Sequence, residues 1–316
     1  MTTAEVSRAR AWLIAARPHT PPAAAAPVLV GTALAYHDGV FAPLPALAAL
    51  LGAALIQVGT NFANDYYDAR TGADEDAAGF TRVTQSGLLP ERRVRRAMIG
   101  SFGAAILLGT SLVYVGGVPI LVVGLASVAA GILYTGGPYP FGYYGLGDLF
   151  VFVYFGLVAV TGTYYVQAVA VRNVGLLPVG IPSGTVTAGA VLAGAAAGAL
   201  ATNILVVNNV RDRESDWAAG KRTLAVMIGY RWSRIEYLAM LGVAYAVPVV
   251  CWLALDFHPG VLFALTTVPL AAAVSRTVLT ETGGDALNPA LERTGQPLAL
   301  YAVLFTAGLI APEVVA

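Results

Sequence analysis

The stretch Leu44-Pro45-Ala46-Leu47-Ala48-Ala49-Leu50-Leu51-Gly52-Ala53-Ala54-Leu55-Ile56-Gln57-Val58-Gly59-Thr60-Asn61-Phe62-Ala63-Asn64-Asp65-Tyr66-Tyr67-Asp68 decides how the chain folds. Its first part is an apolar run long enough to cross a ~30 Å hydrocarbon layer as a helix. It then ends in amides and carboxylates. Asn61, Asn64/Asp65 and Asp68 are spaced i, i+3/i+4 and i+7, which puts their oxygens on one helical face. A second apolar run closes in the same manner, in Asn208-Asn209-Val210-Arg211-Asp212-Arg213-Glu214-Ser215-Asp216. There Asn208, Asp212 and Asp216 fall at i, i+4 and i+8.

Outside these two ends the chain avoids charge. It is 57% hydrophobic and 11% charged, against roughly a quarter charged in soluble domains. Apolar runs recur from end to end and predict about nine membrane-spanning helices: roughly 20–37, 43–64, 97–115, 118–134, 147–170, 184–208, 232–255, 259–279 and 296–312. The short alternating segments of a membrane β-barrel are missing. The expected fold is an all-α polytopic membrane protein, a single transmembrane domain over residues 1–316.

The basic residues set the topology. With the N-terminus in the cytoplasm, only Arg172 of the 18 Lys and Arg residues falls on the outer side. Both acidic ends then face the cytoplasm, four spans apart. Each is followed by a polar connection, residues 69–92 and 210–231, so the halves form a weak internal repeat. Small residues such as Gly189, Gly194 and Gly198 fit close helix packing in lipid. Pro21, Pro22 and Pro27 start or kink the first span.

Several classes drop out. The only cysteine, Cys251, forms no intrachain disulfide and reads as a buried thiol. Arg17 and Pro18 interrupt the first apolar run, so no cleavable signal peptide is evident. His19, His37 and His258 share no zinc-ligand spacing, and no Walker-type phosphate loop occurs. Net charge is zero, so the total says nothing about nucleic acid, and no nucleic-acid partner is among the expectations.

Carboxylates at a membrane boundary read as solvated loop acids, as partners of the nearby arginines, or as ligands of a hard cation. Four acids and several Asn at helical spacing favour the last. The simplest such cation is Mg2+ holding a diphosphate, because Mg2+ bridges one or two carboxylates to phosphate oxygens. The candidate metal ligands are Asp65, Asp68, Asp212 and Asp216, with Asp74 a further one. Asn64 and Asn208 supply neutral oxygens. Arg82 and Lys221, one after each acidic end, are the candidate diphosphate-binding cations. An ion-coupled transporter is the rival class, although it would carry its ionisable groups nearer mid-span.

The segment Tyr134-Thr135-Gly136-Gly137-Pro138-Tyr139-Pro140-Phe141-Gly142-Tyr143-Tyr144-Gly145-Leu146-Gly147-Asp148 has no Lys or Arg and is dense in Gly, Pro and aromatics. It reads either as an interfacial aromatic belt or as one wall of an aromatic pocket that stabilises a carbocation. Tyr164, Tyr165 and Gln167 belong to the opposite side of the membrane.

These residues resemble the UbiA-type intramembrane prenyltransferase superfamily. Asn64-Asp65-Tyr66-Tyr67-Asp68 matches its first Asn-Asp-x-x-Asp motif. Asn208 through Asp216, followed by Gly220-Lys221-Arg222-Thr223, matches its second. Ala16-Arg17-Pro18-His19-Thr20, Tyr134-Thr135-Gly136-Gly137-Pro138, Gly145-Leu146-Gly147-Asp148-Leu149-Phe150-Val151-Phe152 and Gly162-Thr163-Tyr164-Tyr165-Val166-Gln167 resemble the 1,4-dihydroxy-2-naphthoate polyprenyltransferase branch. The resemblance covers nearly the whole chain. It departs at Gly72, where the wider superfamily often has a third aspartate, so Asp74 would have to take that role.

The resemblance implies a nine-helix bundle around a central cavity, with a cytoplasmic cap, in the cytoplasmic membrane. It implies Mg2+-dependent transfer of a polyprenyl group from polyprenyl diphosphate to 1,4-dihydroxy-2-naphthoate, with decarboxylation to a demethylmenaquinone. Asp65, Asp68, Asp212 and Asp216 would be the catalytic metal-binding set. Acceptors such as 4-hydroxybenzoate, homogentisate or an archaeal glycerol lipid define the alternatives. No residue is assigned as the base for the acceptor.

Overall fold

Apolar runs in lipid must satisfy their own backbone, and they do so as helices. The computed structural model describes residues 6–18, 20–71 and 83–315, and its regular elements there are all helical. α1 (Arg8–Ala16) is capped by Ser7 and packs Trp12 edge-on against Phe62. α2 (Pro21–His37) follows, started by Pro21 at its first turn.

The remaining elements are α3 (Pro43–Thr71), α4 (Glu91–Leu133), α5 (Gly147–Val151), α6 (Ala159–Arg172), α7 (Ala188–Arg211), α8 (Arg213–Ala218), α9 (Leu224–Ala254), α10 (Val268–Thr280) and α11 (Gly284–Val315). A π-helical turn, Phe152–Val158, welds α5 to α6, and a 3-10 stretch, Pro259–Thr267, leads into α10.

Seven helical segments among the described residues are long and apolar enough to cross a membrane. Two predicted spans, 97–115 and 118–134, lie within the 43 residues of α4, and the run 20–37 is the shorter α2. As one straight rod α4 would extend about 65 Å, twice a hydrocarbon core. Gly117 breaks it, with φ 66° and ψ −151°.

The backbone groups released by the break are taken up locally. Val118 N–H donates to Pro178 O (2.9 Å), Leu177 N–H donates to Tyr114 O (3.3 Å), and the Tyr165 hydroxyl donates to Gly116 O (2.8 Å). Tyr164 donates to Asp38 (2.6 Å), and the Gln167 side chain accepts from Ala42 N–H (3.3 Å). These contacts tie α6 to its neighbours at the end of the bundle away from the acidic motifs.

α7 is the most buried span and the axis of the larger core, which α2, α6, α9 and α11 surround. Close approach there depends on small residues. A Cβ on Gly156 would overlap the Gly194 carbonyl oxygen and the Gly198 Cα. A second core joins α1, α3 and α4. The connection 210–231 is itself largely helical, made of α8 and the first turns of α9 up to a second break at Gly229 (φ 77°).

Candidate active site

The C-terminal ends of α3 and α7 open on one cavity of about 1530 Å³. Its polar end carries Asn64 and Asp68 from α3, Asn208 from α7, Asp212 and Asp216 around α8, and Lys221 beyond it. Its body is apolar and reaches Val113, Tyr114 and Ile120 at the break in α4. Two stretches about 140 residues apart in sequence therefore contribute oxygens to one chamber.

Tyr143 links the two ends. Its hydroxyl donates to Asp68 Oδ1 at 2.5 Å, and Lys221 Nζ lies 4.9 Å from its ring centroid. Lys221 Nζ is in turn 3.6 Å from Asp216 Oδ1, and Thr223 Oγ1 donates to Asp216 Oδ2 at 3.4 Å. The Tyr143 carbonyl accepts from Arg222 N–H (2.9 Å), which pins the aromatic segment to the second motif. The segment 134–148 thus contributes to the chamber wall: Tyr134, Thr135, Gly142 and Tyr143 all line it. Phe150 stacks on Phe141 on one side and on Tyr154 on the other.

Arg211 organises the second motif. Its side chain, 3% exposed, grips Asp212 through Nε (2.7 Å) and Nη2 (2.5 Å). The same guanidinium reaches Asn208 Oδ1 (2.9 Å) and Asn288 Oδ1 on α11 (3.0 Å). A buried guanidinium needs such a set of acceptors. On the first motif, Thr135 donates to Asn64 Oδ1 (3.0 Å), and Asn61 Nδ2 donates to Thr20 (2.8 Å) and to Ala16 O (2.9 Å).

Asp65 differs from its expected setting. It is 3% exposed and absent from the cavity lining, and its Oδ2 accepts from Thr84 N–H (3.0 Å) and the Thr84 hydroxyl (2.5 Å). In this arrangement Asp65 anchors the end of the first polar connection to α3. Asp74 and Arg82 lie outside the described residues. Asn288, Glu292 and Gln296 also escaped the sequence reading, although the spacing i, i+4, i+8 on α11 repeats that of the second motif.

The donors at the polar end are carboxylate and amide oxygens, the class a hard divalent cation takes, and so their chemistry fits Mg2+. Among the described residues no three acidic, His or Cys side chains already converge as a metal site. Asp212 is held by Arg211, and Asp216 lies beside Lys221. Burial first, then the charges of Asp148, Asp216 and Asp68, push the Tyr134 phenol above its ordinary range. Tyr134 therefore lines the chamber as a neutral ring.

Residues 24–291 match the model of the UbiA prenyltransferase family. The 1,4-dihydroxy-2-naphthoate octaprenyltransferase of Escherichia coli (strain K12) is 38% identical, over 98% of this chain and 98% of the relative. The protein of the same name from Mycobacterium tuberculosis (strain ATCC 25618 / H37Rv) is 39% identical, over 95% of this chain and 96% of the relative. A solved UbiA homolog from Archaeoglobus fulgidus bound to DMAPP and Mg2+ superposes with a TM-score of 0.56 at 15% identity. That match covers 93% of this chain and 98% of the other, and is a likeness of fold. With a family match spanning both acidic ends and full-length relatives above 30% identity, this chain is a membrane-embedded member of the UbiA prenyltransferase family.

Proposed function

We propose that the protein transfers a polyprenyl group from a polyprenyl diphosphate to 1,4-dihydroxy-2-naphthoate, with loss of the ring carboxylate as CO2, giving a demethylmenaquinone. One observation carries the reading: both acidic motifs meet at the polar end of a single cavity whose body is apolar. Diphosphate suits the polar end and an isoprenoid chain suits the rest. The choice of acceptor is supported by the names of the relatives that match over nearly the whole chain.

In this reading Asp68, Asp212 and Asp216 hold Mg2+, with the Asn64 and Asn208 oxygens beside them. Asp65 and Asp74 complete the proposed ligand set. Mg2+, when bound, supplies positive charge that offsets the diphosphate against these carboxylates and favours its departure. Lys221 adds a cation at the same end, so charge developing on the leaving oxygen meets a preorganised partner, and Arg82 is the second cation proposed for the diphosphate. Tyr143 keeps Asp68 and Lys221 in register. The neutral ring of Tyr134, with Phe150 and Tyr154, faces the cation left on the prenyl C1 with π surfaces that do not capture it.

The connections 69–92 and 210–231 would cap this end on the cytoplasmic side of the cytoplasmic membrane. An acceptor screen tests the reading. Purified protein with Mg2+ and an allylic diphosphate is expected to prenylate 1,4-dihydroxy-2-naphthoate and to leave 4-hydroxybenzoate unchanged. Prenylation of the benzoate alone would overturn the acceptor and keep the reaction class.

A further inference from the structure

We infer that Glu292 on α11 is the base that takes the proton from the ring hydroxyl of the aromatic acceptor, with Gln296 orienting that ring. The inference rests on the prenyl-transfer reading above and supplies a group which that reading lacks.

Glu292 sits within a membrane-spanning helix, where an ionisable side chain is costly unless it serves a cavity or a partner. It lines the cavity, as does Gln296 one turn deeper. Among the described residues neither side chain makes a hydrogen bond or ion pair, and both are exposed where they line the chamber. In the two acidic motifs Asp65 is engaged by Thr84, Asp68 by Tyr143 and Asp212 by Arg211.

The depth of Glu292 is set by its own helix. Asn288, at i−4, bonds Arg211 at 3.0 Å, and Arg211 chelates Asp212 at the diphosphate end. Glu292 therefore lies about 6 Å further along the cavity, one helical turn from that end towards the apolar body. The reacting prenyl C1 belongs at this level, bonded to the diphosphate on one side and to its hydrocarbon on the other. Glu292 and Gln296 are the polar side chains that α11 presents to a ring stacked against C1.

The step balances. The Glu292 carboxylate accepts the hydroxyl proton, and the O–H electron pair becomes a ring carbonyl. A ring carbon forms the bond to C1, and the C1–O bond breaks with its electrons leaving on diphosphate. The carboxylate on that ring carbon then leaves as CO2, its C–C electron pair restores the aromatic ring, and the carbonyl oxygen takes its proton back from Glu292.

The test compares Glu292→Gln, Glu292→Asp and Gln296→Ala in the full-length protein. A positioned base contributes about 10²–10⁴-fold, so Glu292→Gln is expected to lower kcat for transfer at least about a hundredfold. Its affinity for geranyl diphosphate should stay within threefold of wild type, and Glu292→Asp should recover part of the rate. Gln296→Ala should raise KM for the acceptor with a smaller effect on kcat. A Glu292→Gln enzyme with near-normal kcat overturns the inference. So does one that loses diphosphate binding, because Glu292 would then belong to the other end. Binding of 1-hydroxy-2-naphthoate, read by quenching of tryptophan fluorescence, separates the two levels of the argument. A wild-type protein that neither binds nor prenylates any phenolic ring defeats the transfer reading itself. A wild type that does both, beside an unaffected Glu292→Gln, defeats the base alone.

Discussion

Tyr143 shows how much of this site depends on one side chain outside both motifs. Its hydroxyl serves Asp68 and its ring serves Lys221, so Tyr143→Phe keeps the cation–π contact and removes only the donor. A hydrogen bond to a charged group contributes roughly 1.5–3 kcal/mol. The expected outcome is a rise of about tenfold or more in KM for the diphosphate, measured by steady-state kinetics on a variant whose detergent melting curve still shows a cooperative transition. An unchanged KM would make the contact incidental. Asp65→Asn asks a parallel question of the first motif. An amide oxygen can still accept from Thr84, so the tether survives while the charge is lost. Turnover is expected to fall at least about tenfold, the scale seen when groups that serve a metal site are altered. Near-normal turnover would leave Asp65 with the tether alone. The oxygens of Asp68, Asp212 and Asp216 were legible in the sequence because helical spacing aligns each with the amides of its own run. The partners Tyr143 and Thr84 were not, because each contact joins segments whose approach only packing decides.

At the scale of elements, hydropathy locates the apolar runs well, since lipid leaves the backbone few alternatives to helix. It does not show that two runs share α4 or that a break joins them. That depends on Gly117, whose positive φ no β-carbon-bearing residue adopts without strain, and on Pro178, whose carbonyl fills the gap. A methyl group at Gly117 would overlap the Pro178 carbonyl oxygen. Gly117→Ala is therefore expected to destabilise the protein by about 2 kcal/mol or more, lowering its apparent unfolding temperature by roughly 3–6 °C. Gly100→Ala is the control: an added Cβ there meets nothing within 4 Å, and alanine favours the helix. Equal melting of the two variants would remove the break from the list of structural requirements. The glycines of the Gly156–Gly198 contact carry the same lesson. Their presence in the spans is visible in the sequence, but which of them touch is a property of the packed bundle.

At the scale of the whole molecule, the distribution of charge bears on which side of the membrane the site faces. Both acidic ends, α8 and the ends of the helices rich in arginine gather at one face of the bundle, and Arg172 marks the other. Cytoplasmic loops collect Lys and Arg, so the site is expected to face the cytoplasm, where a soluble diphosphate product is released and reused. Exposed positions are available at both faces: Trp217 on α8 is 58% exposed, and Val179, in the loop after Arg172, is 81% exposed. The native Cys251 is buried in the core and can be replaced by alanine. In that background, Val179→Cys should react with a membrane-impermeant maleimide added to intact cells. Trp217→Cys should react only after the membrane is opened. The reverse pattern would turn the protein over in the membrane, put the diphosphate end outside, and require its charged substrate to arrive from a compartment that the distribution of arginines argues against.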